Sequence, residues 1–72
     1  MWVLHITNDC FRYSDVVEIE NVAEECGMYV ITGRNLEIVV DKRDFIFDYV
    51  RMRGAGWVGD FTITIDNVEE IC

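Results

Sequence analysis

Residues 15–26, DVVEIENVAEEC, admit two readings, and the choice between them sets the fold class. At spacings of three and four, Val16, Ile19, Ala23 and Cys26, with Val22 beside them, line one side of a helix. At a spacing of two, the run Val-Val-Glu-Ile-Glu alternates as a strand does. The helix is favoured because the apolar stripe runs on to Cys26 and stops at Gly27, a residue suited to the C′ position. Ser14 as N-cap, with Asp15 and Glu18 in the first turn, completes its start.

Such a helix turns Val17 and Asn21 away from the stripe, with Glu20 and Glu24 on one flank and Glu18 and Glu25 on the other. No basic residue lies within it. Val17 ringed by Glu18, Glu20, Glu24 and Glu25 has the form of an interface anchor with a charged rim.

Next in the chain, residues 28–32 and 36–40 are β-rich runs joined by Gly33-Arg34-Asn35, a hairpin signal. Upstream, residues 2–7 alternate, with Trp2, Leu4 and Ile6 on one face and Val3, His5 and Thr7 on the other. Downstream, Asp41 is a candidate N-cap for a second helix, with Phe45, Ile46, Tyr49, Val50 and Met52 as its buried stripe and Gly54 as its stop. Gly54-Ala55-Gly56 then reads as a loose connection. Residues 59–66 form the last strand, with Phe61, Ile63 and Ile65 inward. Residues 67–72 read as an acidic tail containing one turn of helix.

The predicted order is therefore β-α-β-β-α-β over a single domain, residues 1–72. The split βαβ arrangement satisfies it: an α+β fold, with a four-stranded antiparallel sheet of order 4-1-3-2 and two helices on one face. This order of elements resembles a ferredoxin-like domain. It places residues 36–40 in the middle of the sheet and leaves an open face of Val3, His5, Tyr29, Ile31, Val39, Thr62 and Thr64, apolar enough for a partner or a homodimer.

Charge narrows the function. Six basic against fourteen acidic residues give a net charge of −8. Direct binding to nucleic acid is disfavoured, since phosphate contacts need clustered Lys and Arg. The predicted loops gather Arg12, Arg34, Arg51 and Arg53 with Phe11, Tyr13 and Trp57 at one end. Within that set Arg12, Arg34 and Arg53 are a candidate site for an anionic metabolite.

Three cysteines without CxxC spacing and a single histidine do not make a zinc site, so no metal or cofactor is expected. The odd count fits a reducing cytoplasm, with Cys26 as a small buried hydrophobe. Nor does the sequence hold a nucleophile–base pair or a phosphate-binding loop. Phe11-Arg12 is similar to the Phe-Arg that closes the acylphosphatase loop, but Thr7-Asn8-Asp9-Cys10 stands where that family has a glycine-rich run, and that activity is not expected.

In its size, acidity and lack of catalytic groups the chain resembles phage-encoded inhibitors of host defence, including anti-CRISPR proteins. That resemblance implies a non-enzymatic module that docks carboxylates on a basic, nucleic-acid-binding partner. Glu18, Glu20, Glu24 and Glu25 around Val17 are the residues expected to do so.

Overall fold

The computed structural model describes residues 2–68, and its architecture corrects the α+β expectation. These residues form seven antiparallel strands and no helix. They are β1 (Trp2–Asn8), β2 (Tyr13–Glu25), β3 (Met28–Gly33), β4 (Leu36–Asp41), β5 (Phe45–Asp48), β6 (Arg53–Val58) and β7 (Phe61–Asn67). They make one sheet in the order β4-β3-β2-β1-β7-β6-β5, curled into a half-barrel. The ferredoxin-like arrangement, with its order 4-1-3-2 and two helices, is therefore not the fold.

Residues 15–26 are strand because β2 carries a bulge. Ile19 faces Gly33 and Asn21 faces Thr32, so Glu20 is an extra residue with no opposite number. An extra residue reverses the alternation of faces. Ile19 and Val22, three apart, consequently both point into the core, while Val16 is 55 % exposed. A spacing that mimics a helical stripe is thus produced by a strand. Gly27 does take a positive φ (77°), as a helix-ending glycine would, but Cys26 does so as well (50°). Two consecutive positive φ values close the tight hairpin between β2 and β3.

The second expected helix is likewise replaced by turn, strand and turn. Asp41 accepts the Arg43 N–H at 2.8 Å, and Asp48 accepts the Val50 and Arg51 N–H groups at 2.9 and 3.2 Å. Aspartate satisfies free backbone donors at a turn as readily as at a helix start. Between these turns, strand alternation buries Phe45 and Phe47 and leaves Ile46 81 % exposed; Val50, in the following turn, is 93 % exposed.

Gly54-Ala55-Gly56 is part of β6, not a loose connection. Phe45 lies opposite Gly56 and Phe47 opposite Gly54. A Cβ on Gly54 would sit 2.7 Å from Cζ of Phe45, and one on Gly56 only 2.1 Å from the Asp44 carbonyl oxygen. These glycines clear the space in which the Phe45 ring packs against the sheet.

Other expectations hold. β1, β3, β4 and β7 lie where the sequence places strands, the β3–β4 hairpin forms, and β1 pairs with β7. The concave face gathers Leu4, Ile19, Val22, Ile31, Val40, Phe45, Phe47, Ile63 and Ile65 into one core. The expected open face is divided: Tyr29 and Ile31 pack in or against this core, Val3 lies at an outward register but is buried, and His5, Val39, Thr62 and Thr64 lie at outward registers with partial or full exposure. Residues 36–40, expected to be central, form an edge strand. Of the expected tail, Asn67 belongs to β7, and residues 69–72, with Cys72, lie outside the described residues.

Gly56→Ala should destabilise the fold by about 1–3 kcal/mol, because the atoms it meets are backbone and a packed ring. Urea unfolding should show a lower midpoint at unchanged slope. An unchanged midpoint would mean that β5 does not pack on β6 as described.

Candidate functional site

The interior of the half-barrel is filled at one end and open at the other. At the filled end Trp2, Tyr29, Phe45, Phe47 and Tyr49 form an aromatic cluster, with Tyr49 edge-on to Phe47 at 4.7 Å and Tyr29 edge-on to Phe45 at 5.7 Å. Such edge-to-face pairs place a positive ring edge on a negative ring face. Lys42 closes this end, its ammonium 5.6 Å from the Tyr29 ring centroid and hydrogen-bonded to Glu24. The Tyr49 hydroxyl donates to the same carboxylate at 3.4 Å.

These contacts set the titration of the group. The hydrogen bond from Lys42 holds Glu24 below the usual glutamate value and raises Lys42 in return. Burial, and then the charge of Glu24, push Tyr49 up. At the next turn Arg43 lowers Asp41 by a side-chain hydrogen bond, at 3.2 Å from Nε.

The open end is an apolar groove of about 450 Å³ lined by Ile6, Phe11, Tyr13, Ile38, Val58, Phe61 and Ile63. Strand alternation supplies its floor: Ile6 on β1 lies opposite Ile63 on β7. Its rim comes from the β1–β2 connection, where the Asn8 side chain accepts the Cys10 and Phe11 N–H groups at 3.0 and 3.3 Å. That turn presents Phe11, 76 % exposed, over the groove mouth. Tyr13 meets Phe61 edge-on at 5.9 Å, and its hydroxyl donates to Asp15 at 3.2 Å. The charge of Asp15 is the first cause of the raised Tyr13 pKa. The volume falls within the range of small-ligand and side-chain pockets.

The residues expected to form the acidic site all lie on β2, distributed differently from a helical ring. Val17 is half-buried, in register with Leu4. Glu18, Glu20 and Glu25 are exposed and, among the described residues, have no ion pair. Glu24 instead belongs to the Lys42–Tyr49 closure. Glu37 joins the acidic surface from β4: the register Asn21–Thr32–Glu37 sets it in line with the bulge. Only the strand pairing brings Glu37 there, so linear spacing carries no signal for it.

The expected basic end is divided as well. Arg12 and Arg34 occupy turns at the groove end. Arg51 and Arg53 lie at the other end of the strands, where Arg51 pairs with Asp48 at 3.8 Å and Arg53 with Asp66 at 3.1 Å. Arg12, Arg34 and Arg53 are thus not brought into one anion site. Cys10 and Cys26 are both free and exposed, so Cys26 is not the buried hydrophobe expected. The described residues hold no cluster of three or more potential metal ligands and no helix long and apolar enough to cross a membrane.

No protein-family model, curated protein or solved structure matches the chain.

The Glu24 contacts predict a pH dependence. A carboxylate lowered on folding stabilises the native state above its unfolded pKa, and that stabilisation is lost as pH falls through the folded value. Lys42, raised on folding, loses its share as pH rises through its folded value. The melting-temperature advantage of the native sequence over Glu24→Gln should therefore shrink between about pH 6 and about pH 3. An advantage that stays constant over that window would contradict the pairing.

Proposed function

We propose that the chain is a non-enzymatic protein-binding module that docks an acidic surface on a basic partner. The supporting observation is the use of charge. Four of the six basic residues, Lys42, Arg43, Arg51 and Arg53, are engaged in ion pairs within the chain. Glu18, Glu20, Glu25 and Glu37 stand exposed on β2 and β4 without one among the described residues. Unneutralised carboxylates on a rigid sheet give a negative field that steers a basic surface into register.

A partner surface that normally holds nucleic acid is the best match to such a field, because it presents clustered Lys and Arg to a ladder of negative charge. Occupying that surface would make the module an inhibitor, the role that the resemblance to phage-encoded inhibitors implies. The cytoplasm, where such a partner works, is the proposed location.

The double variant Glu18→Lys/Glu20→Lys should bind the partner recovered from host lysate at least about tenfold more weakly, with the loss concentrated in the association rate. Its melting temperature should stay close to that of the native chain, since both side chains are exposed. Added salt should weaken the native complex, because the contacts lie at the surface. Undiminished binding by the double variant would overturn this reading.

A further inference from the structure

We infer that the apolar groove and the free edge of β4 together hold an extended segment of a partner protein, in which apolar side chains alternate with lysine or arginine. The inference rests on the protein-binding reading above and adds how the partner is gripped.

The first observation is the seam of the half-barrel. β4 and β5 are its two edges. β5 is only four residues long and, with the Trp57 N–H donating to the Asp44 carbonyl at 3.1 Å, covers β6 from Arg53 to Trp57, so Val58 runs on past it. In that uncovered stretch, Ile38 of β4 and Val58 of β6 are walls of the groove, and Ile6 and Ile63 lie between them.

The second observation is backbone. Lys42 N–H reaches the Gly27 carbonyl at 3.1 Å, which continues the β3–β4 ladder by one residue. Antiparallel alternation then turns Leu36, Ile38 and Val40 toward β3, and turns the N–H and C=O of Glu37 and Val39 outward. Asp41, next in that outward set, gives its carbonyl to the Asp44 N–H at 2.9 Å. Glu37 and Val39 have no backbone partner on that side among the described residues.

An unpaired edge is a template for another strand. A strand added there would send alternate side chains into the groove beside Ile38, where only apolar groups fit. The intervening side chains would emerge on the outer face beside Glu37 and Asp41. Arg43 already engages Asp41, so Glu37 is the carboxylate left for a lysine or arginine. The net charge of −8 favours the same choice. A fatty-acid-like molecule would fill the groove and leave the Glu37 and Val39 edge unused.

The test uses the full chain, labelled with ¹⁵N. Its probes are a blocked ten-residue peptide alternating valine and lysine, the fully N-methylated form of that peptide, and dodecanoate. The peptide should slow amide exchange at Glu37 and Val39 at least tenfold and shift the methyl signals of Ile38 and Ile63. Its N-methylated form, which keeps the side chains and loses every backbone donor, should bind at least tenfold more weakly.

Dodecanoate or the N-methylated peptide binding as tightly as the peptide, with Glu37 and Val39 unprotected, would overturn strand addition, as would no response to any probe. The Glu18→Lys/Glu20→Lys variant leaves groove and edge intact. Loss of partner binding in that variant, beside a silent peptide test, would reject this inference alone. A protected β4 edge, beside undiminished binding by that variant, would reject the acidic docking alone.

Discussion

A single sheet has no second layer to cover its apolar face, so the chain must cover that face by curling the sheet onto itself. Each departure from regular strand geometry serves this constraint. The bulge at Glu20 keeps Ile19 and Val22 on the same concave side and bends β2, the longest strand. Gly54 and Gly56 let the Phe45 ring lie close on β6. Aromatic rings, which bury the most area per residue, fill the end of the interior that β5 closes. The short β5 does not reach the other end, and there the interior remains a groove.

Local alternation was legible where no irregularity intervened. β1, the β3–β4 hairpin and β7 follow from period two, turn residues and inward isoleucines. The two expected helices failed for physical reasons. A one-residue bulge converts strand periodicity into spacings of three, which is the helical signature. Asp41 and Asp48 bind backbone N–H groups in turns as an N-cap would, and Gly27 has the same positive φ at a hairpin as after a helix. Phe45, Ile46 and Phe47 in sequence do not reveal that the outer two rings are buried and the middle side chain exposed. The glycines opposite those rings, Gly54 and Gly56, were the missing clue, and pairing across strands was needed to use it.

The same lesson applies to function. Glu18, Glu20 and Glu25 were visible as acids without nearby bases, and they remain exposed. Glu24 lay equally within the pattern, yet its role is to close the aromatic end with Lys42. The groove was invisible in sequence because Ile6, Phe11, Ile38 and Phe61 come from four separated segments. Acidic outer face and apolar groove occupy different sides of one curved wall, and β4 borders both. That geometry is the ground on which we propose a partner that is basic and carries an extended apolar strand.

The half-barrel depends on residues 15–26 being a bulged strand and not a helix, and nuclear Overhauser contacts in solution decide this directly. A bulged strand should give cross-strand contacts of Ile19 with Gly33 and of Val22 with Ile31, with both Ile19 and Val22 methyls facing the Ile31 side chain. Sequential contacts between residues three apart throughout residues 15–26, with helical chemical shifts and no cross-strand contacts to residues 28–33, would contradict it.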